Sequence, residues 1–531
     1  MLARCFAPAW LAALLLLLAT AGCKCGEDES GADGGGIERD YASTVPELPA
    51  ASELDVARLV PPGPALVLVA ARPDAVLRWL RQRSWWQKLT ATPFWADLSL
   101  SDPLHRLSTA RHRLASLSPV EMAQPELEQL LASPMALALQ RTETGWGLLL
   151  VKRIDLRVQA IDRLAEAFNQ ARGGGLHTTE VHGLPVRSFA IGPQQSVHYA
   201  LYSNLLLLSN EPALLERAVA LAAGASEQAL LGSDANRALF DDGEPGQLEI
   251  YCEPAALSSW LAHLLPVAAL RLSWQLGDAP RAEVVGRLAG PAPDDADSAR
   301  DLRPLLPHDS RLVLGHSRLR VGELAGALFA ALGQQATGLD DLEDRLLDRL
   351  QGRFALAVTR FALPVPEAVL LLRLNEPDGV EPVLAELLGL ALGAHVEQQG
   401  ELWVASGGRL EPAFAVRGGW LLLGTSRAAV AGVLDTARGR APALADRPGL
   451  TAVLDRAEPL FGLAFVDSGA LAADLQTTAE RLLGASERFD AQDLEVTLAP
   501  LFRALGEIGL LAAGLRRDEP PLAVRGRVVA L

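Results

Sequence analysis

Short apolar runs recur along the chain at 65–70, 135–139, 147–151, 205–209 and 248–252, each ended by turn residues or charge. Runs of this length are too short for stable helices and read as strands. The segments 135–140 and 146–152 flank Arg141-Thr-Glu-Thr-Gly145, which predicts a hairpin with that stretch as its loop. Elsewhere the period changes. Ile154, Val158, Ile161, Leu164, Ala165 and Phe168 recur at spacings of three and four, with Gly173 as the stop, so a helix is expected over 155–171. Pro212 opens another helix, whose apolar stripe is Leu214, Leu215, Ala218, Val219 and Ala222. Hairpins interleaved with helices predict an α+β fold on antiparallel sheets, because a parallel doubly wound sheet needs longer connections.

The pattern also repeats. Leu59-Val-Pro-Pro-Gly-Pro-Ala-Leu-Val-Leu68 matches Leu305-Leu-Pro-His-Asp-Ser-Arg-Leu-Val-Leu314. Ser133-Pro-Met-Ala-Leu-Ala-Leu139 then Gly147-Leu-Leu-Leu-Val151 match Gly352-Arg-Phe-Ala-Leu-Ala-Val358 then Val369-Leu-Leu-Leu-Arg373. Further along, 205–210 matches 420–425, 249–253 answers 463–467, and 280–288 answers 520–528. Five matched blocks in one order indicate two tandem homologous domains. The spacing between counterparts falls from 246 residues at Val67 and Val313 to 219 at Ala136 and Ala355, so the first copy holds an insertion after its first strand. The second copy gains a similar length at 476–503. Such unique insertions are where function is expected to diverge.

The start of the chain has a different character. Arg4, an apolar run over 6–18 and the small residues Thr20, Ala21 and Gly22 lead to Cys23. This is a secretory signal, and its ending resembles the lipobox of bacterial lipoproteins, with Thr20 where Leu is usual. The resemblance implies that Cys23 becomes an acylated N-terminus, and Lys24 after it implies the outer membrane of a Gram-negative bacterium. The membrane is then a partner through lipid rather than a spanning helix. The expected organisation is a lipoprotein signal peptide at 1–22, a flexible acidic tether at 23–46, a first α+β repeat at 47–290, a linker at 291–300 and a second repeat at 301–531. The tether has a root-mean-square reach of roughly 25 Å.

Composition narrows the function. Of 531 residues half are apolar and 21% charged, which excludes disorder as the main state. With 64 acidic against 48 basic side chains and a net charge of −16, nucleic acid is excluded as a partner. Only Lys24, Lys88 and Lys152 are lysines, which removes most lysine chemistry. After Cys5 is cleaved and Cys23 acylated, Cys25 and Cys252 are the remaining thiols, too few for a disulfide scaffold.

No phosphate loop, Gly-x-Ser-x-Gly, His-Glu-x-x-His or Cys-x-x-Cys occurs. His177, His182 and His198 could meet across strands, but a metal site of histidines alone in a hairpin is uncommon. Ser317 reads as a strand-end polar residue, the acidic stretch 294–301 as a solvated linker and 340–344 as the wet face of a helix. No catalytic residue, metal or cofactor is expected, and the chain reads as non-enzymatic.

One stretch departs from the acidic background. Residues 72–88 hold five cations and one anion, and Trp79, Trp85, Trp86 and Trp95 cluster in and just after it. A basic, Trp-rich helix suits a membrane interface or a partner surface. Breaks at Ser84-x-x-Gln87, Thr92-Pro93 and Asp102-Pro103 instead favour short helices packed over a sheet, with Ser84 opening a capping box. The Leu-x-Pro strand start, its recurrence and the Leu-rich strands before Ala-rich helices resemble an uncharacterised family of bacterial exported proteins with a duplicated domain of unknown function. That resemblance implies location and architecture and brings no catalytic residue. The expectation is an envelope protein acting as an interaction or scaffold module, with an unknown envelope protein as partner. A periplasmic carrier of lipid or another apolar ligand, held between sheet and helices, is the alternative.

Overall fold

The computed structural model describes residues 56–92, 133–154, 176–258, 267–288, 301–316, 346–450, 460–484, 499–517 and 524–530, apart from short stretches inside these spans. The signal segment, the tether, the 155–171 helix, the linker, the helix starts at Pro93 and Asp102-Pro103, Ser317 and the 340–344 acidic face lie outside the described residues. The chain forms two compact units, 1–81 with 97–256 and 273–276, and 82–96 with 257–272 and 277–531.

The first unit is built on an antiparallel sheet. Its strands are β1 (Leu66–Ala70), β2 (Met135–Thr142), β3 (Gly145–Arg153), β4 (His177–Val181), β5 (Leu184–Gly192), β6 (Gln195–Tyr202), β7 (Leu205–Ser209) and β8 (Leu248–Cys252). They lie in the order β8-β1-β2-β3-β7-β6-β5-β4. β9 (Val267–Gln275), whose residues 267–272 belong to the second unit, pairs with β10 (Arg281–Leu288). The strands that follow are β11 (Leu312–His316), β12 (Leu350–Arg360), β13 (Glu367–Leu374), β14 (His395–Gln399), β15 (Leu402–Ser406), β16 (Ala413–Arg417), β17 (Trp420–Gly424), β18 (Leu460–Asp467), β19 (Leu510–Arg517) and β20 (Val524–Ala530). Here the order is β10-β20-β19-β18-β11-β12-β13-β17-β16-β15-β14, again antiparallel.

Eight helices of seven or more residues stand among the described residues. They are α1 (Pro73–Gln82), α2 (Ser84–Thr90), α3 (Pro212–Ala222), α4 (Asp234–Asp241), α5 (Val380–Leu392), α6 (Arg427–Ala437), α7 (Ser468–Gly484) and α8 (Ala499–Gly506). The fold is α+β.

The continuous apolar character of the strands follows from burial on both faces. On β13, Val369 and Leu371 join the core with Val430, Val433 and Leu434 of α6. Leu372 of the same strand faces the other way, into a core with Val380 and Leu384 of α5. Burying one such leucine contributes roughly 2 kcal/mol. In the first unit α3 buries its whole predicted stripe, from Leu214 through Ala222. The opposite face holds Ile154, Tyr199 and Leu201, with Leu206, Leu208 and Phe189 against them.

The register makes the two halves similar residue by residue. Leu66 lies opposite Leu139 and Cys252, and Leu312 lies opposite Val358 and Val466. One block of the sequence match moves by two residues. Leu149 opposite Ser209 corresponds to Val369 opposite Gly424, so the counterpart of Gly147 is Glu367 rather than Val369. A two-residue shift keeps every side chain on its face, which is why the apolar pattern alone did not separate the two alignments. The backbone pins agree: Leu148 N–H donates to Asn210 Oδ1 at 2.6 Å, and Ala368 N–H donates to Thr425 Oγ1 at 2.9 Å.

Two local expectations are corrected. The first hairpin turns more tightly than a five-residue loop, because Arg141 and Thr142 extend the ladder and pair with Trp146 and Gly145. Ser84 does not cap α2. The N-cap is Arg83, without a side-chain cap, and the Ser84 hydroxyl donates to Glu507 Oε2 at 2.9 Å. Strand β10 pairs with β20, its counterpart in the sequence match, with Ala282 opposite Val528.

Helix α6 sits on β17 through Gly424, where an added Cβ would collide with Val430 Cγ2 and lie 3.0 Å from the Ser426 carbonyl. Val430 has little rotameric freedom in a helix, so the helix itself must shift. Gly424→Ala is therefore expected to destabilise the second unit by about 1–3 kcal/mol in urea unfolding of the full chain. An unchanged midpoint would contradict this packing.

Candidate functional site

Short polar side chains pin the start of β3 to the junction between β7 and α3. The Glu211 N–H donates to Ser209 Oγ at 3.0 Å, and Asn210 Nδ2 donates to the Trp146 carbonyl at 3.3 Å. Gly147 lets the helix start lie on β3, since a Cβ there would stand 3.2 Å from Leu214 Cδ2 and 3.3 Å from Glu211 Cβ. Below them Gln140, which is buried, donates from Nε2 to the Pro62 carbonyl at 3.0 Å and accepts from Arg217 Nη2 at 3.3 Å.

These elements frame an open cleft of about 840 Å³. Its walls are residues 140–143 at the end of the first hairpin, His182 at the tip of the β4–β5 hairpin, and the outer side of α3. His182 and Gly183 form the two-residue turn with φ of 50° and 79°, a left-handed pair that favours glycine at its second position. Six ionisable groups line the cleft: Arg141, Glu143, His182, Glu211, Glu216 and Arg217. Of these, Arg141, Glu143, His182 and Glu216 make no ion pair or hydrogen bond in the described structure.

The second half carries a different set of charges at the counterpart positions, with Arg360 paired to Glu367 where the first half has Arg141 and Gly147. Ser209 corresponds to Gly424, and α3 to α6, at a spacing of 215 residues. On that correspondence Glu211, Glu216 and Arg217 become Ser426, Ala431 and Gly432. Across the strands, Ser188 opposite His198 opposite Ser209 becomes Val404 opposite Ala413 opposite Gly424. The hairpin differs as well. Leu402, the counterpart of Val186, already faces Gln399 at the turn, whereas β4 and β5 continue through Pro185 and Leu184 before reaching His182. At these positions the first half is polar and its hairpin longer, while α6 places its own charges elsewhere, at Arg427 and Asp435, where α3 has Pro212 and Ala220.

The three histidines separate. His177 lies opposite Ser188, which lies opposite His198, so one row carries two of them with a serine between; His182 is at the hairpin tip. His198 is held by hydroxyls on both ring nitrogens, Ser188 Oγ at 2.7 Å from Nδ1 and Ser196 Oγ at 2.9 Å from Nε2. A neutral ring satisfies both, donating from one nitrogen and accepting at the other. Burial holds His198 below its ordinary 6.5, against the upward pull of the Glu211 and Glu216 carboxylates. Among the described residues no group of three His, Cys, Asp or Glu side chains is placed to hold a metal. Cys252 is a free thiol pushed up to about 11 by burial, with Glu253 adding to the shift, and is a poor nucleophile at neutral pH.

Of the tryptophans, Trp86 is buried and meets Trp85 edge-on at 5.7 Å, while Trp79 meets Trp274 edge-on at 5.6 Å. Lys88 pairs with Glu507 of the segment after α8, and Arg72 and Arg78 share Asp74. Much of this stretch is therefore engaged in packing and ion pairs. Trp95, Cys23, Thr20, Ala21 and Gly22 lie outside the described residues. The cleft residues Glu211, Glu216 and Arg217 were missed from sequence, although reading α3 against α6 position by position exposes all three.

No family model matches the chain, and no curated protein matches it. A solved structure described as crystal form I of TP0453 is similar at 10% identity, covering 72% of this chain and 98% of that one, with a TM-score of 0.23. That degree of likeness carries no argument.

The His198 environment predicts a pH response. Folding favours the neutral ring, so below about 6.5 the unfolded chain takes up the extra proton first, and stability falls as pH falls through that range. A histidine NMR titration of the full chain is expected to place the His198 midpoint below 6.5. A midpoint above that value would contradict the burial argument.

Proposed function

We propose that the protein is a non-enzymatic interaction module of the bacterial envelope, anchored by lipid on Cys23 and probing its surroundings with the cleft of its first half. One observation carries this reading: at counterpart positions of a shared scaffold, the first half holds Glu211, Glu216 and Arg217 where the second holds Ser426, Ala431 and Gly432. Charges on an outer helix face contribute little to stability, so their concentration around one cleft is better explained by a partner. The lipobox resemblance and a tether of roughly 25 Å support a body held off the outer membrane and presented to another envelope protein.

Positions 213 and 428 provide the test, since Ala213 lines the cleft, Ala428 is its counterpart, and both are exposed. A photo-crosslinking residue placed at 213 in the producing cell is expected to give one discrete envelope partner, and the same residue at 428 none. Equal crosslinking from both, or from neither, would count against the reading. Stoichiometric lipid co-purifying with the full chain in native mass spectrometry would instead favour a carrier.

A further inference from the structure

The cleft presents charges of both signs that are not spent on each other. Arg141 and Glu143 stand at the end of the first hairpin, and Glu216 and Arg217 on α3. Arg217 is aimed by a fixed relay, through Gln140 at 3.3 Å to the Pro62 carbonyl at 3.0 Å, with Gln140 only 8% exposed. Arg141, Glu143 and Glu216 make no side-chain hydrogen bond or ion pair in the described structure, and the Glu216 carboxylate acts only at a distance on the His198 ring. The opening of about 840 Å³ between them falls in the range of small-ligand pockets.

A ligand that completes such a lining must bring both an anionic and a cationic group. We propose that the cleft binds a zwitterionic peptide segment, its ammonium between Glu143 and Glu216 and its carboxylate between Arg141 and Arg217. This deepens the interaction reading and rests on it, by naming the chemistry of the partner. A peptide fits better than a zwitterionic lipid headgroup because the apolar lining is limited to Ala213, Leu214 and Ala220, which offers no wall for acyl chains.

The test is titration of the full chain with trialanine, followed by calorimetry and by the His182 imidazole signal. Saturable binding is expected. N-acetyl-trialanine and trialanine amide, each lacking one charge, should bind about tenfold more weakly, as should wild-type trialanine to Glu216→Gln or Arg217→Gln. Glu216 is exposed on α3 and lies outside the Gln140 relay, so its substitution leaves the fold intact, and Glu381→Gln in the second half should leave binding unchanged. Absence of binding at millimolar peptide, equal binding of the doubly blocked peptide, or tighter binding of glycerophosphoethanolamine would each overturn the proposal. A specific partner crosslinked from position 213 without trialanine binding would remove the zwitterion assignment alone. Loss of both would remove the interaction reading as well.

Discussion

Every described strand near the centre of each sheet has to be covered on both faces, and that requirement sets the rest of the architecture. Val369 and Leu371 point toward α6 while Leu372 points toward α5. The same holds in the first unit, where Leu205 and Leu207 are buried on one face and Leu206 and Leu208 pack against Tyr199 and Leu201 on the other. A sheet of this kind cannot leave a helix off without exposing a stripe of leucine. The helices following β7 and β17 are therefore fixed in place by burial, whatever their outer faces carry.

That division of labour explains how one scaffold can hold two different surfaces. The inner stripe of α3 and the inner stripe of α6 are both apolar, and they are the residues the fold depends on. Their outer positions are free to change. In the second half the positions answering Glu216 and Arg217 are small, Arg427 and Asp435 carry the charge instead, and α6 rests on Gly424 with no room for a side chain. In the first half Ser209 occupies the corresponding site and its hydroxyl holds the Glu211 amide, so the helix start is built on a polar contact rather than a bare glycine.

The sequence was most legible where periodicity and punctuation agree. Leu205–Ser209 and Leu248–Cys252 are strands with the bounds the apolar runs suggested, and Pro212 begins α3. The alignment of the repeat held at β1, β2 and β8 but slipped by two residues at β3, where a run of leucines offers no mark of register. The turn after Thr142 was misjudged because Arg141 and Thr142 look like loop residues and are ladder residues. Ser84 had the spacing of a cap, yet its hydroxyl is taken by Glu507, more than four hundred residues away in sequence. The cleft was illegible for the same reason: Arg141, His182 and Glu216 are brought together by a hairpin, a turn and a helix that are far apart along the chain.

The difference between halves at one strand position has consequences in three dimensions. Glycine at 424 allows the closest helix-to-sheet approach, and that approach works only if the facing row is also small, which Ala413 provides. Serine at 209, which is buried, removes that option and is matched in its row by the half-buried His198 and Ser188, which hydrogen-bond to each other. Polar groups withdrawn even partly from water are stable only when each has a partner, so Ser188 and His198 are coupled and would have to change together for the first half to become like the second. The polar strip, the longer β4–β5 hairpin and the charged face of α3 are then parts of one local specialisation, built on a core that both halves still share.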